Sequence, residues 1–163
     1  WSTDDPERAR RFAAGEHCAA AQFQLNVLSD APEIIGVCEE LGLAGLNRGP
    51  LAMGLLSGKY SSQSTLPEDD VRGPNAPGWM RYFSNGRPTP EFIERVDAIR
   101  EILTEDGRSL AQGALGWLLA RSGVTIPIPG FRTVAQVEQN AGTFEKGPLS
   151  GDQMERIGAV LGG

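Results

Sequence analysis

The chain changes repeatedly between short apolar runs and longer stretches in which apolar residues recur every three or four positions. The short runs predict buried strands, and the longer stretches predict amphipathic helices. Because helix and strand alternate, the pattern favours an α/β fold with a parallel sheet covered by helices. Strands are predicted at 18–28, at 43–46 and from Val124, and helices at 6–14, at 32–41, from Pro90, from Leu110, after Thr133 and after Ser150.

The stretch from Val124 to Asn140 combines an apolar run, a Pro-Gly turn and a helix start. Thr133 and Gln136 have the spacing of a capping box, and Arg132 stands just before them. The free N–H groups of a helix N-terminus attract anions, and a guanidinium adds a planar fork for the same charge. The stretch therefore predicts a phosphate site, and the alternative is an ordinary strand-helix junction with a surface arginine. The helix that follows repeats apolar residues at Val134, Val137, Ala141 and Phe144.

Residues 61–89 interrupt the alternation with an irregular stretch that contains four prolines. A connection of this length is typical of a functional lid or a mobile segment. Its aromatic residues could cover a substrate or form a local cluster, and both interpretations stay open. We expect one domain over residues 1–163, of which residues 61–89 form a long irregular loop.

Composition and charge restrict the classes of function. The net charge of −6 makes bulk attraction to nucleic acid or to an anionic membrane unexpected, and no apolar run approaches a membrane span. Cys18 and Cys38 lack metal-binding or CxxC spacing, and the single histidine, His17, has no second candidate ligand. We therefore predict no metal site, and we expect reduced thiols in a cytoplasmic protein.

Several segments resemble the aldo-keto reductase family, in the order in which the family has them. They are AAAQFQLNVL at 19–28, GLNRGPLAMGLLSGKY at 45–60 and IPIPGFRTVAQVEQN at 126–140, preceded by WSTDDPER at 1–8. The resemblance covers essentially the whole chain. It implies the C-terminal half of a (β/α)8 TIM barrel that binds NADPH at the carboxyl ends of its strands. The chain begins where a strand should be ending, so a partial chain is expected.

The resemblance also implies which residues hold NADPH. Ser2 and Gln22 would hydrogen-bond the nicotinamide carboxamide, and Arg48 stands where many members place an aromatic residue against the ring. Arg132 would contact the 2′-phosphate and favour NADPH over NADH. The pyrophosphate path would be lined by Gly49, Pro50, Leu51, Ala52 and Met53 with Lys59 as a charged partner, and the adenosine end by Gly130, Arg132, Gln136, Gln139 and Asn140.

The same residues also allow simpler interpretations. Gln22 could be a hydrogen-bonded core residue, Lys59 a solvated loop charge, and Gln136 a helix cap and nothing more. Asn140 lies in the middle of a predicted helix, although asparagine is a poor helix former, which favours a role for it.

The family uses a tetrad of Asp, Tyr, Lys and His on the first four strands of its barrel, and no segment here resembles those motifs. We therefore predict no catalytic residue in this chain. The first hypothesis is the cofactor-binding half of an NADPH-dependent aldo-keto reductase, which acts on a small-molecule carbonyl substrate if the N-terminal half is present. The second is a non-catalytic half-barrel that forms a homodimer through open sheet edges and binds a dinucleotide weakly or not at all. A flavodoxin-like domain ranks last, because it rests on the alternation alone.

Overall fold

The computed structural model describes residues 1–162, in which helices and strands alternate along most of the chain. Two short 3-10 turns, at Ala52–Ser57 and Glu105–Gly107, accompany the regular elements. The helices are α1 (Pro6–Ala13), α2 (Pro32–Leu41), α3 (Pro90–Leu103), α4 (Leu110–Arg121), α5 (Val134–Ala141), α6 (Thr143–Lys146) and α7 (Gly151–Leu161). The strands are β1 (Ala20–Gln24), β2 (Ala44–Arg48), β3 (Phe83–Ser84), β4 (Arg87–Pro88) and β5 (Thr125–Pro127).

The main sheet is parallel, with the strand order β1-β2-β5. Gln22, Leu46 and Ile126 lie side by side in register, and Ser2 adds an isolated parallel bridge beside Gln22. Because side chains alternate across a sheet, Phe23 is fully buried while its neighbour Gln22 is half-buried on the other face. The predicted parallel sheet is confirmed.

Helix α4 lies at the centre of the helical layer. Every residue from Leu110 to Leu118 except Gln112 is buried, and the helix packs against α3, β5 and α5. A helix that is apolar all round is covered by protein on every side. The fully buried core includes Phe23, Leu25, Cys38, Leu56, Phe83, Ile99, Leu103 and Leu118.

Capping explains where most of the helices begin. Asp5 accepts from the N–H groups of Glu7 and Arg8, and Ser109 and Ser150 each complete a capping box. The capping box predicted at Thr133 is only half present. Thr133 accepts from the N–H of Gln136, but the Gln136 side chain accepts from Arg132, one residue before Thr133, at 2.7 Å.

Two further predictions differ from the structure in extent. The strand predicted over 18–28 is formed only over Ala20–Gln24, because Asn26 turns the chain. Its backbone exchanges hydrogen bonds with Ser29, and its side chain accepts from the N–H of Leu28. Within residues 61–89, β3 and β4 form a short antiparallel hairpin, and the rest of the segment is irregular.

Within residues 1–162, no helix has the length and the apolar character needed to cross a membrane. The same part of the chain contains no group of three or more His, Cys, Asp or Glu side chains that could hold a metal ion.

Candidate functional site

A crevice of about 420 Å³ opens beside the carboxyl ends of β2 and β5; we call it the first crevice. One wall is the turn after β2, and the other is the turn after β5 together with helix α5. These segments are distant in sequence, and the parallel sheet brings their ends to one edge. The lining residues are Gly49, Pro50, Leu51, Met53, Gly54, Ser57, Lys59, Val71, Arg72, Ala111, Ile128, Gly130, Phe131, Arg132, Gln136, Gln139 and Asn140.

Most of the residues predicted for the pyrophosphate path and the adenosine end thus line one crevice. Ala52 is the exception, because it is fully buried and its methyl group points into the core. The backbone is left-handed at Ala52, Met53 and Gly54, with φ values of 48°, 56° and 93°. This conformation is uncommon for residues with a Cβ, and within it Ala52 belongs to the hydrophobic core and not to the crevice lining.

Arg72, from the irregular segment, fixes this turn from the outside. Its guanidinium donates to the Met53 carbonyl oxygen at 2.9 Å and lies over the rings of Tyr60 and Phe83. The other side of the guanidinium makes a two-point contact with the Asp70 carboxylate, at 2.6 and 2.7 Å. Both side chains are largely buried, so the contact between the segment and the turn is geometrically defined.

The Asp70 carboxylate has a pKa of about 2, against an ordinary value of 3.8. The main cause is the hydrogen bond from the Arg72 side chain, which outweighs the opposing effect of burial. The positive charge of Arg132 across the crevice lowers this pKa further. Asp70 therefore stays ionised and is electrostatically linked to both walls.

Two cationic side chains at the first crevice, Arg132 and Lys59, form no ion pair within residues 1–162. The Arg132 side chain is exposed and forms no ion pair there, and the Lys59 ammonium only lies 4.8 Å from the centroid of the Tyr60 ring. The α5 wall is tied to α4, because the Gln112 side chain donates to the Gln139 carbonyl oxygen at 3.1 Å. Cationic side chains beside a capped helix N-terminus fit a ligand that carries phosphate groups.

A second crevice of about 550 Å³ adjoins the first and shares Gly49 and Met53 with it. It lies at the carboxyl ends of β1 and β2, beneath the irregular segment. The two crevices form a continuous path along the strand ends, which suits an extended ligand. The second crevice is lined by Asp4, Gln24, Arg48, Gly49, Met53, Trp79, Met80, Arg81 and Tyr82.

A hydrogen-bond network forms the floor of the second crevice. Arg48 pairs with the Asp4 carboxylate and donates to Gln24 Oε1 at 3.3 Å. The side-chain amides of Gln24 and Asn26 each donate to the Tyr82 hydroxyl oxygen at 2.9 Å. Because Asn26 Nδ2 also donates to the Gly49 carbonyl oxygen at 2.9 Å, the network connects four segments of the chain.

Ser2 and Gln22 lie apart from both crevice linings. The Ser2 hydroxyl donates to Gln22 Oε1 at 3.3 Å, and both side chains are accessible on the sheet face that the helices do not cover. Arg48 lies on the same face, two residues beyond Leu46 in β2.

Sequence reasoning missed Arg72 and Gln24, and it left Tyr82 open between a lid over substrate and a local aromatic cluster. Arg72 and Tyr82 belong to the irregular segment, and no periodic pattern shows where such a segment folds back. Gln24 did give a signal in the sequence. It is a polar residue within an apolar strand, and it lies two positions from both Gln22 and Asn26.

Comparison with known proteins gives a consistent result. A pyridoxal reductase from Arabidopsis thaliana is 34% identical over 133 residues, which is 80% of this chain and 33% of that protein. An NADP(+) aldo-keto reductase from Schizosaccharomyces pombe is 32% identical over 143 residues, which is 83% of this chain and 40% of its own length. The chain thus spans 33% and 40% of the length of these two curated relatives.

Solved structures agree with the sequence relatives. Glycerol dehydrogenase from Gluconobacter oxydans superposes with a TM-score of 0.78 at 25% identity, over 98% of this chain and 47% of that chain. An aldo-keto reductase from Bacillus halodurans superposes with a TM-score of 0.66 at 26% identity, over 98% of this chain and 49% of its own. The fold therefore matches about half of these reductase structures. The sequence profile of the Aldo/keto reductase family matches residues 2–161, and the chain belongs to that family.

Proposed function

We propose that this chain is the C-terminal, cofactor-binding half of an NADPH-dependent aldo-keto reductase. The reaction would interconvert a small-molecule carbonyl compound and its alcohol. Family membership and the Schizosaccharomyces pombe relative, whose name specifies NADP(+), support the proposal. Activity and substrate would also depend on the part of the relatives that this chain does not span.

One observation carries the proposal. The turn after β2 and helix α5 meet at the first crevice, where Lys59 and Arg132 supply positive charge that no ion pair offsets within residues 1–162. The second crevice continues this path toward Gln24 and Arg48. NADPH carries its negative charge at the pyrophosphate and at the 2′-phosphate. This arrangement therefore fits an NADPH molecule bound in an extended conformation.

The roles of the residues follow from their places along this path. Arg132 and the N-terminus of α5 would hold the 2′-phosphate, while Gln139 and Asn140, which line the same crevice, would face the adenosine. Gly49, Pro50, Leu51 and Met53 would follow the pyrophosphate, with Lys59 as counter-charge. When bound, the reduced nicotinamide supplies the hydride for the carbonyl carbon. Ser2 and Gln22, on the accessible sheet face, would fix the carboxamide.

Binding to the two reduced dinucleotides tests the proposal directly. We expect NADPH to bind at least about tenfold more tightly than NADH, because a charge-assisted phosphate contact contributes on the order of 1.5–3 kcal/mol. Arg132→Ala should remove most of this difference and leave NADH affinity nearly unchanged. Fluorescence titration of the full chain measures both affinities.

The control is Arg11→Ala, which removes an exposed guanidinium from α1, outside both crevices. It should leave the preference for NADPH intact. Equal affinities for NADPH and NADH in the unmutated chain would contradict the role of Arg132.

A further inference from the structure

The second crevice contains a cation that is held in place from two sides. The Arg48 guanidinium pairs with the Asp4 carboxylate on one side and donates to Gln24 Oε1 on the other. Gln24 is fixed in turn, because its backbone N–H donates to Asp4 at 2.7 Å and its side-chain amide donates to Tyr82 at 2.9 Å. Arg48 is therefore a positioned charge, although 39% of its side chain is exposed.

This inference rests on the proposed function, in which the path of the dinucleotide continues into the second crevice; the nicotinamide ring would then lie beside Arg48, on the sheet face that Arg48 shares with Gln22. The oxidised nicotinamide is a cation, whereas the reduced ring is neutral and electron-rich. A positioned guanidinium attracts an electron-rich ring and repels a pyridinium. We infer that Arg48, held by Asp4 and Gln24, makes this chain bind the reduced dinucleotide more tightly than the oxidised one.

Asp4 determines how much of the Arg48 charge a ligand experiences. Its carboxylate offsets part of the positive charge, so neutralising Asp4 should strengthen the discrimination. Asp4→Asn removes the ion pair with Arg48 but retains an oxygen that can accept from the N–H of Gln24, so Gln24 stays in place and its Oε1 still accepts from Arg48. Arg81 lines the same crevice with a charge of the same sign, and among residues 1–162 its guanidinium packs over the Phe92 ring without an ion pair. The substitutions at Arg48 and Asp4 each change the charge at one position of the crevice, while the charge of Arg81 is the same in all variants.

The test measures the ratio of the dissociation constants for NADP⁺ and NADPH by calorimetry with the full chain. We expect a ratio of about five to ten in the unmutated protein, because the repulsion is partly screened at this exposure. Arg48→Gln should bring the ratio to about one, and Asp4→Asn should raise it about threefold. Arg48→Lys keeps the charge without the fork and should give a ratio between those of Arg48→Gln and the unmutated chain.

Two controls separate this inference from the proposed function. Arg11→Gln removes the same charge outside the crevices and should leave the ratio unchanged. Adenosine 2′,5′-bisphosphate carries only the adenosine-side phosphates, so its affinity should not respond to Arg48→Gln.

If neither this probe nor either dinucleotide binds, the proposed function is wrong. If they bind and Arg48→Gln leaves the ratio as it was, the role of Arg48 is wrong. If circular dichroism shows that Arg48→Gln does not fold, the Asp4→Asn variant takes its place. An unchanged ratio in Asp4→Asn would then refute the role of Arg48.

Discussion

Asp70 and Arg72 show how two side chains can fix an irregular segment. Residues 61–89 have few regular hydrogen bonds, yet Arg72 reaches the Met53 carbonyl oxygen and the aromatic rings beside it. Asp70 neutralises this largely buried guanidinium and keeps its own pKa near 2. Without Asp70, the charge of Arg72 would be nearly buried and unpaired, which is costly.

The low pKa of Asp70 predicts a pH-dependent contribution to stability. A carboxyl group whose pKa is lower in the folded chain stabilises the fold above its unfolded pKa of 3.8, and this effect is lost as the pH falls through about 2. Asp70→Asn should therefore lower the free energy of unfolding by on the order of 2 kcal/mol near neutral pH, and by much less near pH 2. Urea unfolding across this pH range measures the difference.

Asp69→Asn is the matched control, because Asp69 is exposed and has no hydrogen-bond partner for its side chain within residues 1–162. It should change stability little at any pH. A destabilisation by Asp70→Asn that stayed constant down to pH 2 would show that the carboxylate charge is not its cause.

Single site residues could be predicted from the sequence only where they belong to a local motif. Arg132, Gln136 and Asn140 follow a strand and a turn within one short stretch, and the structure places all three at the first crevice. Arg72 has no such context, because its place depends on how a loop folds back. Ala52 lies within a motif, but it is buried in the core, and the hydrophobic pattern does not reveal the left-handed backbone at Ala52 and Met53.

At the scale of elements, the position of α4 depends on one close approach. Gly113 faces the end of α3, where a Cβ would overlap the carbonyl oxygen of Leu103 and lie 2.7 Å from its carbonyl carbon. Helix α4 also carries Ala111, which lines the first crevice, and Gln112, which holds α5 through Gln139. Packing at Gly113 therefore influences the geometry of the crevice.

Two glycine substitutions within helices should have opposite effects on stability. Gly113→Ala should destabilise the chain by about 1–3 kcal/mol or more, because the overlap with backbone atoms exceeds the gain in helix propensity. Gly36→Ala in α2 should stabilise it by up to about 1 kcal/mol, since a Cβ there meets nothing within 4 Å. Thermal and urea unfolding compare the two variants, and a stable Gly113→Ala protein would show that α3 and α4 are less closely packed.

Helix starts were predictable, whereas strand ends were not. Ser109 and Ser150 stand three residues before glutamines, and both form the expected capping boxes, because a cap is a local interaction. The end of β1 depends instead on Asn26, which bonds its own turn and also reaches the Tyr82 hydroxyl from a distant segment. A long-range partner of this kind cannot be inferred from periodicity.

At the scale of the whole molecule, the alternation of helices and strands was enough to predict a parallel sheet, because each unit is locally patterned. It could not show what covers the outer edge. In the described residues β5 has a neighbour on one side only, and α5 has no buried residue. Val134 and Phe144 are 73% and 76% exposed. The apolar groove between this edge and α4 is lined by Leu115, Leu119, Pro127, Pro129, Phe131, Val137, Asn140, Ala141, Thr143 and Phe144.

This edge predicts that the chain associates with a second copy of itself. An unpaired strand edge beside exposed apolar side chains favours association, and a two-fold axis would bring the same groove of each copy together. We expect dimers at micromolar concentrations in sedimentation velocity experiments. Phe144→Glu should shift the equilibrium to monomers, because it places a charge in the groove. Val160→Glu, at an apolar position on α7 that is 45% exposed and lies outside the groove, should not. A monomer at all concentrations, or equal effects of the two variants, would mean that the groove does not mediate self-association.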